Sequence, residues 1–541
     1  MNEGLFAPAG GVLRGEVLIG GRWYDKPERL ESRDPATGEL LGTVPLCNRE
    51  DVALAVAEAR RAAPGWAGMP VRGRLDLLEV LARLLHREGD ALASLVTYEN
   101  GKPLQESLAV DLQGALDLLA GLVRGAGPRL RPQRVRTSSP LLWGKSHRLH
   151  RVPLGVVGVI SPWNLPLAIP VGQIALALAA GNTVVFKPSE LAPLVAAKLS
   201  TLIQRAGFPA GVFNLVTGDR DTGAFLVESG VDGLLFTGST STGRKILAAL
   251  AGRLTRTQME LGGKDAFLVL PDAPFERTVN GAVWNGCFGS GQVCSSSERY
   301  YVHRSLYPRF VEAVTERVAR LKVGSGFDPE TQVGPMISEA QRDKVHRQVQ
   351  EAVAGGARVL CGGGPLSGPG FFFAPTVLVD VPPGCNLMRE ETFGPVLPLA
   401  PYDDLDQAVA LCNDSPYGLS ASVWTADLHA GEALARRLEV GSVWVNDASY
   451  THGQASCPWG GVKASGVGRT HWTGALDELT TLRLVGMDRG RAARELWWFP
   501  YGKDGLELAR AFRELLWERG LGRVGPAARV AVRLFRVRSA S

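Results

Sequence analysis

The 541-residue sequence lacks the features that mark membrane, secreted and metal-binding proteins. No apolar run is long enough to span a bilayer, and the first residues have neither the basic start nor the apolar core of a signal peptide. The seven cysteines are scattered and include no CxxC pair, which argues against a disulfide framework and against a zinc site. We therefore expect a cytoplasmic protein that holds no metal.

The net charge is small and unevenly distributed. It is +5 at pH 7, and residues 488–541 carry twelve Lys or Arg against six Asp or Glu, which leaves the rest of the chain close to neutral. A near-neutral body lacks the basic surface that nucleic-acid binding requires, so we expect no nucleic-acid partner. The length predicts two or three domains.

From residue 152 onward, short apolar strands alternate with helical segments. Strands are predicted at 155–160, 183–186, 212–216 and 233–236, with helices at 171–180, 193–206 and 222–229. This alternation predicts a doubly wound parallel sheet, whose ligands bind at the carboxyl ends of the strands. A second α/β unit is predicted after residue 294.

Polar residues follow three of the predicted strands. Residues 161–164 follow the first, Lys187, Ser189 and Glu190 follow the second, and a GSTSTG turn at 238–243 leads from another into a helix. A helix amino terminus with small residues suits a pyrophosphate, and a carboxylate can accept a hydrogen bond from a ribose hydroxyl. Each residue alone is typical of a turn or of a solvated surface. Their placement at successive strand ends indicates a dinucleotide site.

Cys294 lies between a glycine-rich approach and a run of serines. A thiolate displayed on small residues is a candidate covalent nucleophile, although a core cysteine in a tight turn fits the same pattern. Glu260 precedes a Leu-Gly-Gly segment. If it is buried, its pKa is raised toward the range of a general base; the alternative is a surface or ion-pair residue.

Seven motifs occur in order along the chain. They are SPWN at 161–164, VFKPSE at 185–190, FTGST at 236–240, ELGGK at 260–264, GQVC at 291–294, ETFGP at 391–395, and PWGG at 458–461 with SG at 465–466. Together they resemble the NAD(P)-dependent aldehyde dehydrogenase superfamily over roughly residues 17–484. The resemblance implies an α/β fold with a Rossmann-type cofactor domain (1–137 and 154–262), a second α/β catalytic domain (263–466), a small β oligomerisation arm (138–153 and 467–487) and a C-terminal extension (488–541).

The resemblance also implies a role for each matched residue. Cys294 attacks the aldehyde carbon, the Asn164 amide and the Cys294 N–H hold the oxyanion, and Glu260 activates the water that hydrolyses the thioester. The implied cofactor-binding residues are Ser161, Trp163, Lys187, Ser189, Glu190, Gly238, Ser239, Gly262, Glu391 and Phe393. Since Glu190 repels a 2′-phosphate, NAD is the expected cofactor and NADP is less favoured. Glu260 indicates a free carboxylic acid as product.

Several positions leave alternatives open. Thr470 follows Arg469 where the family commonly has Glu, so we expect a different contact there. Cys287 is expected to pack in the core. The resemblance places Cys457 near the aldehyde entrance, where we expect it to line the pocket rather than to act as a second nucleophile. Arg299 could bind a substrate carboxylate, as in a semialdehyde-specific dehydrogenase, or form a structural ion pair. The rival class is a non-catalytic binding or structural protein of the same fold.

The tail beyond residue 487 carries an aromatic cluster and a predicted amphipathic helix. The cluster contains Trp497, Trp498, Phe499 and Tyr501, and the helix places Leu508, Phe512, Leu515 and Leu516 on one side. Either the tail packs on neighbouring subunits of a homodimer or homotetramer, or it lies on an anionic membrane. The six interleaved acidic residues favour the subunit arm.

Overall fold

The computed structural model describes residues 5–6, 11–137, 142, 144–451, 453–490, 495, 497–499 and 501–539. They fold into two compact units, the first made of Met1–Arg131 and Arg151–Arg483 and the second of Pro132–His150 and Leu484–Ser541. No helix within the described ranges is both long and apolar enough to cross a membrane.

The strands and helices of the described residues are as follows. The strands are β1 (Leu5–Phe6), β2 (Leu13–Gly15), β3 (Val17–Ile19), β4 (Arg22–Tyr24), β5 (Arg29–Arg33), β6 (Leu40–Pro45), β7 (Gln133–Val135), β8 (Ser146–Pro153), β9 (Val156–Ile160), β10 (Thr183–Lys187), β11 (Phe213–Leu215), β12 (Gly233–Thr237), β13 (Arg256–Glu260), β14 (Asp265–Val269), β15 (Ser297–His303), β16 (Arg358–Cys361), β17 (Thr376–Val379), β18 (Val396–Tyr402), β19 (Ser420–Trp424), β20 (Ser442–Val445), β21 (Gly466–Val467) and β22 (Thr480–Met487). The helices are α1 (Arg49–Gly68), α2 (Val71–Arg87), α3 (Gly89–Asn100), α4 (Leu104–Glu106), α5 (Gln113–Leu130), α6 (Ala168–Ala180), α7 (Pro193–Arg205), α8 (Arg220–Glu228), α9 (Thr240–Leu250), α10 (Phe275–Cys287), α11 (Tyr307–Ala319), α12 (Glu339–Ala354), α13 (Asn386–Arg389), α14 (Leu405–Asn413), α15 (Leu428–Ala435), α16 (Lys503–Trp517) and α17 (Val524–Ser539).

An eight-stranded sheet in the first unit has the order β21-β13-β12-β9-β10-β11-β3-β4. Its central strands run parallel to their neighbours, and β9 and β10 are buried along their whole length, as a parallel sheet covered on both faces requires. The chain leaves β9 toward β10 on one side and later returns to β12 on the other. This reversal of strand order opens a crevice at the carboxyl ends of β9 and β12.

The first unit also contains a seven-stranded sheet and a four-stranded sheet. The seven strands have the order β16-β17-β18-β15-β14-β19-β20, and the four have the order β1-β2-β6-β5. In the seven-stranded sheet β14 pairs in parallel with both β15 and β19. Since β15 begins three residues after Cys294, this sheet fixes the position of the candidate nucleophile.

The second unit contains a helical hairpin and most of a small sheet. The sheet has the order β22-β8-β7. In the hairpin, Leu508, Ala511 and Phe512 of α16 pack in one buried cluster with Val530 of α17. The amphipathic helix expected from the sequence of the tail is therefore confirmed, and Leu508 and Phe512 face a second helix. Leu516, expected on the same side, is instead 53% exposed.

The predicted fold class is confirmed, and one helix runs further than its sequence suggests. Helix α1 continues through Pro64, a residue type that usually ends or kinks a helix, to Gly68, because Trp66 is buried in the core. The four-part domain division proposed from the sequence stays a prediction.

Candidate active site

A cleft of about 180 Å³ opens at the carboxyl ends of β9 and β12. Its wall is formed by Pro162, Trp163, Asn164, Ile169, Thr237, Gly238, Ser239, Glu260, Leu261, Gly262, Cys294, Gln341, Lys344, Glu391 and Phe393. The cleft thus brings together all three candidate catalytic residues and six of the ten candidate cofactor residues.

A strained turn presents Cys294. Helix α10 ends at Cys287, and Gly289, Ser290 and Gly291 then adopt positive φ values of 58°, 60° and 69°. The Ser290 hydroxyl donates to the carbonyl of Gly334 at 2.9 Å, which holds this turn. A Cβ atom at position 291 would lie 2.2 Å from the Gly394 carbonyl, so only glycine permits this close approach.

The sulfur of Cys294 is held in its neutral form in the protein alone. Burial raises the pKa of the Cys294 thiol above its usual value, and the carboxyl groups of Asp265, Glu391 and Glu260 raise it further. A thiol is a weak nucleophile, so reaction requires a positive charge or a base beside this sulfur.

Asn164 is positioned from both its side chain and its backbone. Its Nδ2 donates to the carbonyl of Gln292 at 3.0 Å, and an amide nitrogen has a second N–H. Lys102 donates to the Asn164 carbonyl and forms a buried ion pair with Asp111 at 2.7 Å. Asp111 also accepts from the backbone N–H of Leu167. Lys102 and Asp111 were not found from the sequence, since nothing there distinguishes them from surface charges.

Glu260 is the last residue of β13 and is 4% exposed. Burial raises the pKa of its carboxyl to about 8, although a hydrogen bond from Gln258 and the charge of Arg469 act in the opposite direction. The Gln258 amide reaches Oε1 at 3.4 Å. The burial predicted from the Leu-Gly-Gly context is therefore present, and the pKa lies in the range that suits a general base.

The turn after β12 leads into helix α9, whose amino terminus is capped. Ser239 is the N-cap of α9, and its Oγ accepts from the backbone N–H of Thr242 at 3.4 Å. The amide groups and dipole of such a helix start favour a phosphate group. The residues fit the pyrophosphate of a dinucleotide.

Glu391 and two aromatic rings form the opposite wall. The rings of Trp163 and Phe393 meet edge to face with centroids 5.4 Å apart. Glu391 accepts from the Gly263 N–H at 3.2 Å, and burial raises the pKa of its carboxyl to about 7. A Cβ atom at Gly262 would lie 2.5 Å from this carboxylate, which explains the need for glycine.

Four candidate cofactor residues lie beside the cleft rather than in its wall. Ser161 donates its backbone N–H to the carbonyl of Lys187 at 3.2 Å, which joins two adjacent strand ends. The Lys187 ammonium is buried and lies 3.2 Å from the half-exposed carboxylate of Glu190. The Ser189 hydroxyl accepts from the N–H of Leu191. Their position after β10 continues the row of strand ends.

Sequence reasoning missed the residues that hold Phe393. Glu298 accepts from the backbone N–H groups of Thr392 and Phe393, each at 2.8 Å, and its partner is the buried Lys264. Gln341 of α12 donates to the Phe393 carbonyl at 2.9 Å. Such contacts join segments far apart in the chain, so no local pattern signals them.

The structure settles the role of Arg299. Its guanidinium is buried and donates to the backbone carbonyls of Lys264, Leu411 and Cys412. The substrate-carboxylate alternative is therefore wrong, because these bonds occupy the side chain away from the cleft. Arg299 therefore has a structural role, but its partners are the backbone carbonyls of Lys264 and of two residues in α14 rather than a carboxylate.

The other two cysteines singled out above differ in exposure. Cys287 is buried in the core cluster around Phe267, so its packing role is confirmed. Cys457 is partly exposed, and its sulfur lies 3.9 Å from the Ser456 hydroxyl. Its expected role as a pocket liner stays a prediction.

Comparison with known proteins agrees with the fold. The aldehyde dehydrogenase family model matches residues 23–485. A betaine aldehyde dehydrogenase of Rhizobium leguminosarum bv. trifolii is 38% identical over 465 residues, which cover 85% of this chain and 94% of the relative. An aldehyde dehydrogenase from Bacillus cereus solved as an NAD+ complex is 34% identical with a TM-score of 0.84, over 88% of this chain and 96% of that one. An NADP-dependent enzyme from E. coli is 34% identical with a TM-score of 0.84, over 88% of this chain and 98% of that one.

The chain belongs to the aldehyde dehydrogenase family. The predicted family and fold are thereby confirmed, and the protein is an aldehyde dehydrogenase. The rival class, a non-catalytic protein of the same fold, is not favoured.

Proposed function

We propose that this enzyme oxidises an aldehyde to a carboxylic acid with NAD+, through a thioester on Cys294. One observation supports this most strongly: the Cys294 sulfur, the Glu260 carboxyl and the Asn164 amide share one cleft with the start of α9. A nucleophile, a base and an oxyanion donor are the groups that acyl chemistry at a carbonyl requires.

The proposed reaction has two halves. The Cys294 thiol gives its proton to water in the cleft as its sulfur forms a C–S bond with the aldehyde carbon and the C=O π bond breaks. The resulting oxyanion accepts from the Cys294 N–H and from the second N–H of Asn164. Trp163, Ser239, Glu391 and Phe393 would hold the dinucleotide in the cleft, and NAD+ would supply the hydride acceptor when bound. Loss of hydride from the thiohemiacetal carbon leaves a thioester. Glu260 then takes a proton from water as its oxygen attacks that carbon, and the C–S bond breaks to release the acid.

The residues after β10 support a preference for NAD over NADP. The Glu190 carboxylate is half-exposed at the strand end and fixed by Lys187. A carboxylate there accepts from a ribose hydroxyl and repels a 2′-phosphate. We propose that Glu190→Gln lowers the ratio of kcat/KM for NAD+ to that for NADP+, with the steady rate on saturating NAD+ nearly unchanged.

An aromatic wall beside Cys294 supports a class of substrate. Trp444 and Trp459 stack with centroids 6.1 Å apart, pack with Cys294, and are continued outward by Tyr450, 6.5 Å from Trp444. Aromatic faces attract cations, quaternary ammonium groups in particular. The relative from Rhizobium leguminosarum bv. trifolii is a betaine aldehyde dehydrogenase. We propose aldehydes with a trimethylammonium group as the preferred substrates of this enzyme.

Reduced-nicotinamide formation tests the proposed function. Purified enzyme, NAD+ and betaine aldehyde are compared with the uncharged tert-butyl analogue of that aldehyde, which has the same shape. We expect turnover that Cys294→Ala abolishes, and a higher kcat/KM for the charged aldehyde. Full turnover by Cys294→Ala contradicts the mechanism, whereas equal kcat/KM values contradict only the substrate class.

The tail supports a proposal about assembly. Trp517, Phe499 and Tyr501 are 87%, 77% and 71% exposed in this chain. Such large apolar side chains mark interaction surfaces. We propose a homodimer or homotetramer in which these side chains pack on neighbouring subunits. We also propose a cytoplasmic location, because the seven cysteines are all free thiols.

A further inference from the structure

Cys294 and Glu260 also line a second, smaller cavity, which we call the inner chamber. Gln173, Thr470 and His471 line it together with these two residues. The space open to the centre of a water molecule is about 20 Å³. A single water requires roughly 10–15 Å³ by the same measure, so the chamber has room for one.

Three oxygens on the chamber side chains are buried without a hydrogen-bond partner among the described residues. They are Oε2 of Glu260, Oγ1 of Thr470 and Oε1 of Gln173. Their side chains belong to residues that are 4%, 2% and 1% exposed. Buried polar atoms in native proteins are nearly always satisfied, either by protein groups or by ordered water.

The remaining contacts of these residues fix their positions. Gln173 uses its Nε2 to donate to the Thr237 hydroxyl at 2.9 Å. The backbone of Thr470 is held on both sides by Trp459, with N–H to carbonyl distances of 3.0 and 2.8 Å. Gln258 contacts Oε1 of Glu260, which leaves Oε2 as the atom for another partner.

The donors and acceptors match one water molecule. A water can donate to Oε2 of Glu260 and to Oε1 of Gln173, and it can accept from the hydroxyl of Thr470. This arrangement gives three hydrogen bonds, the number that buried waters typically make. It also aims a donor at the Glu260 carboxylate.

We propose that the inner chamber binds one water, and that Thr470 acts through this water as a positioning residue that stabilises Glu260 as a carboxylate during thioester hydrolysis. The inference rests on the proposed role of Glu260. It assigns a function to the position where this chain has Thr in place of the Glu common in the family. A Glu there would add a negative charge, whereas a hydroxyl and water supply a donor.

Several titratable and charged groups surround Glu260. Arg469 and His471 flank Thr470 in the chain. Cys294 follows the strained turn at residues 289–291, and Glu391 lies in the wall of the neighbouring cleft. The Arg469 charge favours the carboxylate form, as a donating water does. Removing the water should therefore shift the titration of Glu260 upward.

The test uses three threonine variants of the full-length enzyme. Thr470→Val keeps the side-chain shape and removes the hydroxyl, Thr470→Ser keeps the hydroxyl, and Thr331→Val is a matched control. Thr331 is likewise buried with an unpartnered Oγ1, but it lies on neither cavity. Hydrolysis of the Cys294 thioester is measured by rapid quench and mass spectrometry between pH 6 and 9. Acylation is measured from the initial burst of reduced nicotinamide.

We expect Thr470→Val to move the pH dependence of hydrolysis up by about one unit, a loss of roughly tenfold at pH 7. Acylation should be unchanged, Thr470→Ser should stay within about twofold of wild type, and Thr331→Val should match wild type. A crystal structure should place a water within hydrogen-bonding distance of the three oxygens. A wild-type pH profile in Thr470→Val, or a chamber without that water, overturns the inference alone. Wild-type hydrolysis by Glu260→Gln overturns the proposed function instead.

Discussion

The ammonium of Lys102 donates to the backbone carbonyl of Asn164, the residue proposed to hold the oxyanion. Lys102 and its partner Asp111 are both buried, with their charged atoms 2.7 Å apart. The loop after β9 is therefore held by a buried ion pair on one side and by the Gln292 carbonyl on the other. Because a misplaced oxyanion donor stabilises the transition state poorly, this pair connects folding stability to rate.

Replacing Lys102 with Met should reduce both stability and rate. Asp111 would keep a buried charge without its partner, which costs about 3–5 kcal/mol. We expect a lower thermal unfolding midpoint and a kcat lower by roughly tenfold, since the donor is displaced rather than removed. Lys198→Met is the control, because Lys198 forms only a partly exposed ion pair with Glu88. An equal loss in both variants would contradict a specific role for Lys102.

The raised pKa of Glu260 predicts how stability depends on pH. Its carboxyl has a folded-state pKa of about 8 against an ordinary value of 4.5, so its neutral form favours folding. That contribution is complete below about pH 4.5 and is lost as pH rises to about 8. Glu260→Gln has no such loss. Its unfolding midpoint relative to wild type should therefore increase by a few degrees across this range and level off above it. A difference that is constant with pH would show that Glu260 is not buried as described.

Arg299 offers a test of the semialdehyde alternative. Its guanidinium donates to backbone carbonyls, which a lysine cannot reproduce as a set. Arg299→Lys should lower the free energy of unfolding by roughly 1–3 kcal/mol. The ratio of kcat/KM for a carboxylated aldehyde to that for an uncharged one should stay unchanged. A selective loss on the carboxylated substrate would restore the role that the structure argues against.

A negative charge introduced on the exposed tail tests whether the tail packs on neighbouring subunits. Trp517→Glu should shift the native mass measured by light scattering toward smaller species, because burying a carboxylate against a neighbouring subunit is unfavourable. Leu254→Glu is the matched control, since Leu254 is 90% exposed in the first unit. If Trp517→Glu keeps the oligomer but loses binding to anionic liposomes, the membrane alternative is favoured.

The sequence predicted the cofactor sheet well because its strands carry simple signals. β9, β10 and β12 are short apolar runs bounded by turns, and their polar ends fall where the sheet reverses. Strand β18 carried no such signal, because it contains Pro398 and Pro401, which usually exclude a central strand. It nevertheless lies between β15 and β17, with parallel pairing on both sides.

The three candidate catalytic residues could also be predicted from motifs, whereas the side chains that position them could not. Cys294, Glu260 and Asn164 each lie in a glycine-rich segment or at a strand end, and such a position indicates a functional residue. Lys102, Glu298 and the inner chamber depend on side chains that meet only after folding. A lone Lys or Thr has no periodicity or spacing that reveals a buried partner.

The thioester on Cys294 is tested by the intact mass and peptide masses of Glu260→Gln, quenched after mixing with NAD+ and aldehyde. We expect the acyl group to accumulate on the peptide that contains Cys294, with far less of it in wild type and none in Glu260→Gln/Cys294→Ala. An acyl group on another residue, or no acyl-enzyme while reduced nicotinamide still forms, would show that the reaction does not pass through a Cys294 thioester.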